Sequence, residues 1–167
     1  MRKELQRLLD MESIKLLKSR YCRYIDTKQW DLLPLLFSDD VRFDGFASAP
    51  TGSTGAQFVK GVSSRLDGAF TMHHCHTPDI VFLDDDTARG VWAMADYMEW
   101  PNPVGLADAP QARGMYGFGH YEEEYRRIAG VWKMSRLCLR RMRLIPLPDD
   151  HPRQTSPVSP AKNDWLP

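Results

Sequence analysis

The 167-residue chain has a mass of 19.2 kDa, which suits a single domain because two domains would each bury too little apolar surface. Its 22 basic and 22 acidic residues cancel, which argues against a protein that grips nucleic acid through phosphates, and no apolar run reaches the roughly 18 residues that span a membrane. The three scattered cysteines and the charged N-terminus, which is unlike a signal peptide, lead us to expect a cytoplasmic protein.

Helices are predicted for the first part of the chain. Between residues 10 and 26, apolar side chains recur at spacings of three and four, which predicts a helix that begins with Asp10 as its N-cap. A short second helix is expected around residues 30–37. Thr54 and Gln57 have the spacing of a capping box, and they predict a third helix whose apolar residues lie four apart: Phe58, Val62 and Leu66.

Strands are predicted for the remainder of the domain. A short strand is expected after the second helix, and further strands over residues 71–83, 87–100, 115–128 and 131–144. The alternation over 87–100 places seven residues on one face of its strand: Ala88, Gly90, Trp92, Met94, Asp96, Met98 and Trp100.

Helices followed by strands predict an α+β domain over residues 1–144, in which a curved antiparallel sheet packs on the N-terminal helices. Residues 145–167 hold six of the twelve prolines and are expected to form an extended tail.

A histidine cluster lies at the start of the second predicted strand. His74 and His76 share one face of that strand, and such a pair can form half of a metal site, as in a cupin-type oxygenase. The glutamate and the later histidine of such a site are not evident, because Asp79 is the nearest carboxylate and His120 the next histidine. No metal and no cofactor are therefore predicted. His73 points the other way, together with Cys75.

Asp26 and His73 together carry a second kind of chemistry. A carboxylate behind an imidazole makes a usable general base, because it fixes the tautomer and stabilises the imidazolium once this forms. The two residues are 47 positions apart, and spacing alone does not show that they meet.

Six arginines of the last two strands are expected on solvated faces or at subunit contacts: Arg126, Arg127, Arg136, Arg140, Arg141 and Arg143. The run Glu122-Glu123-Glu124 is expected to form an exposed edge with its neighbours.

Three segments of the chain resemble SnoaL-like domains of the nuclear-transport-factor-two-like superfamily. In chain order they are RYCRYIDTKQWDLLPLLFSDDVRFD, TMHHCHTPDIVFLDDDTARGVWAMADY and GFGHYEEEYRRIAGVWKMSRLCLRRMR, which together span most of residues 10–143. The resemblance implies a cone, also called a cystatin-like α+β barrel. In it a strongly curved antiparallel sheet closes over the N-terminal helices around an apolar pocket.

Several members of this superfamily are lyases that use an Asp–His pair: scytalone dehydratase, hexachlorocyclohexane dehydrochlorinase and bile-acid 7α-dehydratase. The resemblance places Asp26 at their aspartate and His73 at their histidine, with the adjacent His74 as an alternative base. The bile-acid enzyme adds a tyrosine five residues before the aspartate and an acid on the next long strand, which correspond to Tyr21 and Asp96.

The chain also departs from these relatives. A second pocket tyrosine on the first strand of scytalone dehydratase has no clear equivalent here. The arginine that the last strand of the dehydrochlorinase sends into its pocket would fall near Leu137.

The resemblance favours a cofactor-independent lyase, of dehydratase, elimination or retro-aldol type, acting on a small hydrophobic, aromatic or polycyclic molecule. His73 would be the base, Asp26 would orient it, and Tyr21 or Asp96 would hold the developing oxygen. Five residues are expected to contact the substrate: Trp92, Met94, Tyr121, Phe43 and Trp100. The alternatives are a non-catalytic binding or assembly domain of the same fold, and an isomerase or cyclase.

A homo-oligomer is expected, because apolar residues on the outer face of the curved sheet need cover: Val91, Ala93, Ala95 and Tyr97. Relatives form dimers or trimers, so the resemblance implies one of these two states.

Overall fold

The helices lie at the front of the chain, as expected. A computed structural model describes residues 2–148, 150–152, 159, 162, 163 and 165. Helix α1 spans Arg2–Asp26, a short 3-10 helix spans Leu33–Leu36, and helix α2 spans Gly55–Arg65. None of the helices in this described part is both long and apolar enough to cross a membrane.

Five strands follow the first helix: β1 (Phe37–Asp44), β2 (Phe70–Phe82), β3 (Thr87–Glu99), β4 (Gly114–Ile128) and β5 (Val131–Pro146). They form one sheet in the order β1-β5-β4-β3-β2, so β2 is an edge strand. The predicted α+β class and cone fold are confirmed. Strand β5 continues two residues past the predicted end of the domain at residue 144.

The sheet is mixed rather than wholly antiparallel. Strands β2 to β5 pair antiparallel with their neighbours, whereas β1 lies parallel to β5. Residues 83–86 join β2 to β3 and residues 129–130 join β4 to β5, and connections this short allow only antiparallel pairing, whereas the longer segment 100–113 joins β3 to β4. Strand β1 is separated from β5 by most of the domain, so no hairpin fixes its direction.

Helix α1 begins at Arg2, eight residues before the predicted N-cap at Asp10. Asp10 is instead a buried residue in the middle of the helix. Its carboxylate accepts hydrogen bonds from Arg127 Nη2 at 2.7 Å and from Trp132 Nε1 at 3.2 Å. The polar residue that resembled a helix start is therefore an anchor that ties α1 to β4 and β5.

Helix α2 forms as the sequence predicts. Thr54 is its N-cap, the Gln57 backbone N–H donates to Thr54 Oγ1 at 3.4 Å, and the Thr54 N–H donates to Gln57 Oε1 at 2.9 Å. The apolar side of the helix, Phe58 and Val62, packs into the core. The predicted capping box is confirmed.

Two β-bulges in β5 decide which of its side chains point into the cone. Opposite Glu124 and Tyr125 of β4, Ser135 is an extra residue in β5, and a second register shift follows opposite Phe118 and Gly119. An extra residue moves the following side chains to the other face of a strand. The buried set accordingly changes from Trp132 and Met134 to Leu137 and Leu139.

Candidate active site

Asp26 and His73 lie together at the end of α1 and the start of β2. His73 Nδ1 is 2.6 Å from Asp26 Oδ1, and the His73 backbone N–H donates to Asp26 Oδ2 at 2.8 Å. Both side chains are largely buried, with 6% of the His73 side chain and 13% of the Asp26 side chain exposed. Because a carboxylate only accepts, this contact places a proton on Nδ1, and in the neutral ring Nε2 then carries the lone pair.

Two further residues hold the carboxylate in place. Thr71 Oγ1 donates to Asp26 Oδ1 at 2.9 Å and in turn accepts from Lys28 Nζ at 2.9 Å. Lys28 follows α1 in the left-handed region, with φ of 59°. Burial lowers the pKa of Lys28. Neither residue was predicted to belong to the site, although both lie in segments that carry the family resemblance.

A cavity of about 1600 Å³ borders this pair. Side chains from α1 line it, among them Lys18, Cys22 and Asp26, and both faces of the edge strand β2 contribute, with His73 and Cys75 on one face. Trp92 and Trp100 add apolar surface, and Lys28 and Arg113 add positive charge. Pockets of this kind, largely apolar with a few convergent polar groups, are typical of small-molecule sites.

Asp96 faces the same side of the sheet as His73, and the two residues are directly paired across β2 and β3. Its carboxylate is bound at both oxygens by Arg141, whose Nη1 lies 2.9 Å from Oδ1 and whose Nη2 lies 2.7 Å from Oδ2. The Asp96 side chain is fully buried, and Asp96 does not line the cavity. The geometry therefore makes Asp96 the partner of an arginine and does not present it to a bound molecule.

Glycines on β4 make this pair possible. Arg141 on β5 pairs with Gly119 of β4, and Asp96 on β3 pairs with Gly117 of β4, so the two residues lie on strands that flank β4 on opposite sides. With no side chain at position 117, the guanidinium crosses β4 to reach the carboxylate. Arg141 points inward because of the first bulge in β5, so the expectation of a solvated Arg141 is wrong. The resemblance places an inward-pointing arginine of the last strand near Leu137. In the structure the inward-pointing arginine is Arg141, four residues later.

Replacing Gly117 with alanine is expected to lower the free energy of unfolding by about 1–3 kcal/mol, measured by urea denaturation. A Cβ at this position would overlap both Arg141 Nη1 and Asp96 Oδ1, so the buried ion pair would have to move. Gly90→Ala is the control, since a Cβ there meets only the Tyr125 ring edge at 3.2 Å and neighbouring side chains. Equal losses for the two variants would contradict the packing argument.

Tyr21 belongs to the core of the cone. Its ring packs edge-on against Tyr121 and Phe37, with centroids 6.1 and 6.4 Å away. The side chain is buried and does not line the cavity, and burial raises the pKa of Tyr21 well above its usual value. A structural role accounts for this residue, and the predicted contact with a developing oxygen has no support in its position.

The five predicted contact residues divide into two groups. Trp92 and Trp100 line the cavity. Met94, Tyr121 and Phe43 are buried beneath it, and Phe43 stacks on Phe58 at 3.9 Å between ring centroids. Aromatic and methionine content on an inward face does not distinguish core packing from a pocket wall, because both positions alternate in the same way along a strand.

Lys18 lies at the centre of the cone and was not singled out by its pattern. Its Nζ is fully buried against the Glu123 carboxylate and lies 3.5 Å from the centre of the Tyr121 ring. Glu123 also accepts from the Tyr125 hydroxyl, which accepts from Trp92 Nε1 at 2.8 Å. The expectation that Glu123 is exposed with its neighbours is therefore wrong, and only Glu122 and Glu124 face outward.

His74 and His76 are exposed on the opposite face of β2 from His73. Among the residues that the structure describes, no group of three His, Cys, Asp or Glu side chains is placed to hold a metal ion. His74 does not contact Asp26, which favours His73 as the residue that the carboxylate orients.

Comparison with known proteins identifies one family. A model of the SnoaL-like domain matches residues 6–138. Three crystal structures share the fold. A protein from Novosphingobium aromaticivorans, provisionally named scytalone dehydratase, is 21% identical, with a TM-score of 0.72 and coverage of 94% of this chain and 98% of that chain.

The second structure is a hexachlorocyclohexane dehydrochlorinase from Novosphingobium barchaimii. It is 23% identical, with a TM-score of 0.70 and coverage of 90% of this chain and 99% of that chain. The third, a Kribbella flavida protein whose name states no activity, is 20% identical, with a TM-score of 0.68 and coverage of 81% and 93%.

Proposed function

The chain belongs to the SnoaL-like domain family, and from this premise we propose that it is a cofactor-independent lyase with His73 as general base. The observation that carries the proposal is the contact of 2.6 Å between His73 Nδ1 and Asp26 Oδ1 in the wall of the cavity. The names of two neighbouring structures, a dehydratase and a dehydrochlorinase, support an elimination.

In the proposed reaction His73 Nε2 takes a proton from the substrate, and the imidazolium that forms is stabilised by Asp26 at the other ring nitrogen. Within the described part of the chain no hydrogen bond involves Nε2. The electron pair of the broken C–H bond forms a double bond, and the leaving group departs with the electron pair of the bond that held it to carbon. A retro-aldol cleavage or an isomerisation uses the same base.

The group that receives the departing anion is proposed to be a cation at the cavity wall. Tyr21 and Asp96 do not line the cavity, whereas Lys28 and Arg113 do. Positive charge stabilises a departing hydroxide or halide, or the negative charge that develops on a carbonyl oxygen, more strongly where water is scarce. Lys28 is linked to Asp26 through Thr71, so base and cation are held on one framework.

The proposed substrate is a small, hydrophobic, aromatic or polycyclic molecule. Trp92 and Trp100 offer flat apolar surface in the cavity wall, and Phe70 and Met72 line the cavity from the opposite, exposed face of β2. The cavity is large enough for a molecule of several fused rings, since typical drug-sized ligands occupy about 300–1,000 Å³.

A screen in heavy water tests the proposal. Hydroxylated and halogenated aromatic and steroid-like compounds are incubated with the protein, and mass spectrometry records the loss of water, halide or formaldehyde and the uptake of deuterium. Turnover by the wild type that His73→Ala abolishes is the expected result. Tight binding with neither turnover nor exchange, unchanged in His73→Ala, would favour a non-catalytic binding domain.

We further propose that the protein forms a homo-oligomer, a dimer or a trimer, through the outer face of its sheet. Val91 and Phe118 are exposed there on adjacent strands, and Ala93, Ala95 and Tyr97 are half-buried. Light scattering after gel filtration should give two or three times the mass of one chain, and Phe118→Glu should lower that mass. A monomer at micromolar concentration would contradict the proposal.

A further inference from the structure

Two cysteines face each other in the cavity wall. Cys22 Sγ on α1 lies 3.4 Å from Cys75 Sγ on β2, and both residues line the cavity. All three cysteines of the chain carry free thiols. Nothing in the proposed lyase chemistry uses this pair, and the third cysteine, Cys138, is buried on β5 away from the cavity.

The position of the pair follows from the way α1 lies along β2. Cys22 precedes Asp26 by one helical turn, about 6 Å, and Cys75 follows His73 by two strand residues, about 6.6 Å. The steps match, so the contact between the thiols repeats the contact between Asp26 and His73 one rung further along. The same two elements therefore hold both pairs in register.

The surroundings make Cys75 the more acidic thiol of the pair. The Cys22 thiol lowers the pKa of Cys75 through a hydrogen bond, and the Lys18 ammonium lowers it further, against the raising effect of burial. The same sulfur contact and burial raise the pKa of Cys22 well above its usual value. Burial also raises the pKa of Cys138. Cys75 is the more exposed member of the pair.

We propose that Cys22 and Cys75 form a peroxide-oxidisable dithiol, in which Cys75 is the attacking thiolate and Cys22 the resolving thiol. The thiolate of Cys75 attacks the terminal oxygen of a hydroperoxide, the O–O bond breaks, and the alcohol or water leaves with one added proton. Cys75 is oxidised to a sulfenic acid and the peroxide is reduced.

The second step closes the pair. The sulfur of Cys22 attacks the sulfenic sulfur of Cys75 and loses its proton, and water leaves with the sulfenic oxygen. The sulfurs must approach by about 1.4 Å to reach the length of a disulfide bond. The product is a disulfide that links α1 to β2, one helical turn from Asp26. Neither thiol of the pair remains free to react in the cavity wall. A thiol reductant restores the dithiol.

Thiol counting and mass spectrometry of the full chain test the proposal without any substrate. Reduced protein is treated with hydrogen peroxide, the remaining thiols are alkylated, and peptides are mapped without reduction. We expect the alkylated thiols to fall from three to one, the intact mass before alkylation to fall by two hydrogen atoms, and a peptide pair joined through Cys22 and Cys75. Dithiothreitol should reverse all three changes.

Single variants assign the two roles. In Cys22→Ser the sulfenic acid of Cys75 should persist and react with dimedone, whereas in Cys75→Ser, Cys22 should stay unoxidised. Cys138→Ser is the matched control and should behave as the wild type. Cys75 should react with peroxide at least about tenfold faster than Cys138. Three unoxidised thiols in the treated wild type, or a disulfide that includes Cys138, would overturn the proposal.

Discussion

Replacing His73 with alanine should lower the turnover number by about 10²–10⁴-fold on whichever substrate the screen identifies, since this is the usual contribution of a positioned general base. The Michaelis constant should change little, because the imidazole interacts with the transferred proton in the transition state and contributes little to binding of the substrate in the ground state. Asp26→Asn should reduce turnover in the same direction, as an amide cannot stabilise the imidazolium that forms at Nδ1.

The neighbouring histidine provides the control for this result. His74 lies one residue away on the same strand but on its opposite, exposed face, so His74→Ala changes the local composition without removing the residue that Asp26 contacts. We expect its turnover to stay within about twofold of the wild type. A loss of turnover in His74→Ala with none in His73→Ala would identify His74 as the base and contradict the proposed mechanism.

Replacing Lys18 with methionine should lower the free energy of unfolding by about 3–5 kcal/mol, because the Glu123 carboxylate would remain buried without its cation. Both side chains of this pair are fully buried, so water cannot replace the lost partner. Burial is the largest single influence on the pKa of Lys18 and lowers it, but the Glu123 charge and hydrogen bond together with Cys75 and Cys22 outweigh burial and raise the pKa, so the lysine is charged at neutral pH. Urea denaturation monitored by circular dichroism measures the loss.

Two further variants separate the buried charge from a general effect of substitution. In the double variant Lys18→Met with Glu123→Gln, the uncompensated charge is gone, and most of the lost stability should return. Lys15→Met removes a lysine from the exposed side of the same helix, where Lys15 Nζ lies 2.7 Å from Glu12 Oε1, and should cost less than about 1 kcal/mol. Equal losses for Lys15→Met and Lys18→Met would contradict this account.

Local patterns predicted the elements of this fold well where they report on the chain's nearest neighbours. The capping box of Thr54 and Gln57 defines the start of α2, and strict alternation defines β3, because both signals arise within a few residues of each other. The start of α1 was missed because Asp10 has the chemistry of an N-cap, while its actual partners, Arg127 and Trp132, lie more than a hundred residues away.

The candidate site shows the same division. Residue types and a family resemblance pointed to Asp26 and His73, but the position of Arg141 depends on the extra residue Ser135 in β5, which reverses the face of the side chains from there to the second bulge. A bulge shifts the register between two strands by one residue, and packing against the partner strand decides whether the bulged or the regular pairing forms. Predicting it requires the partner strand as well as the strand itself.

The sequence by itself determined the α+β class, the capped helix, the alternating strands and the inventory of chemical groups, because periodicity and composition are properties of short stretches of chain. Only the tertiary structure decided which of those groups meet. The parallel pairing of β1 with β5, the reach of Arg141 across Gly117 and the two matched contacts between α1 and β2 are long-range choices. They are fixed by packing the whole sheet against one helix, since no local pattern records which distant residue will lie opposite.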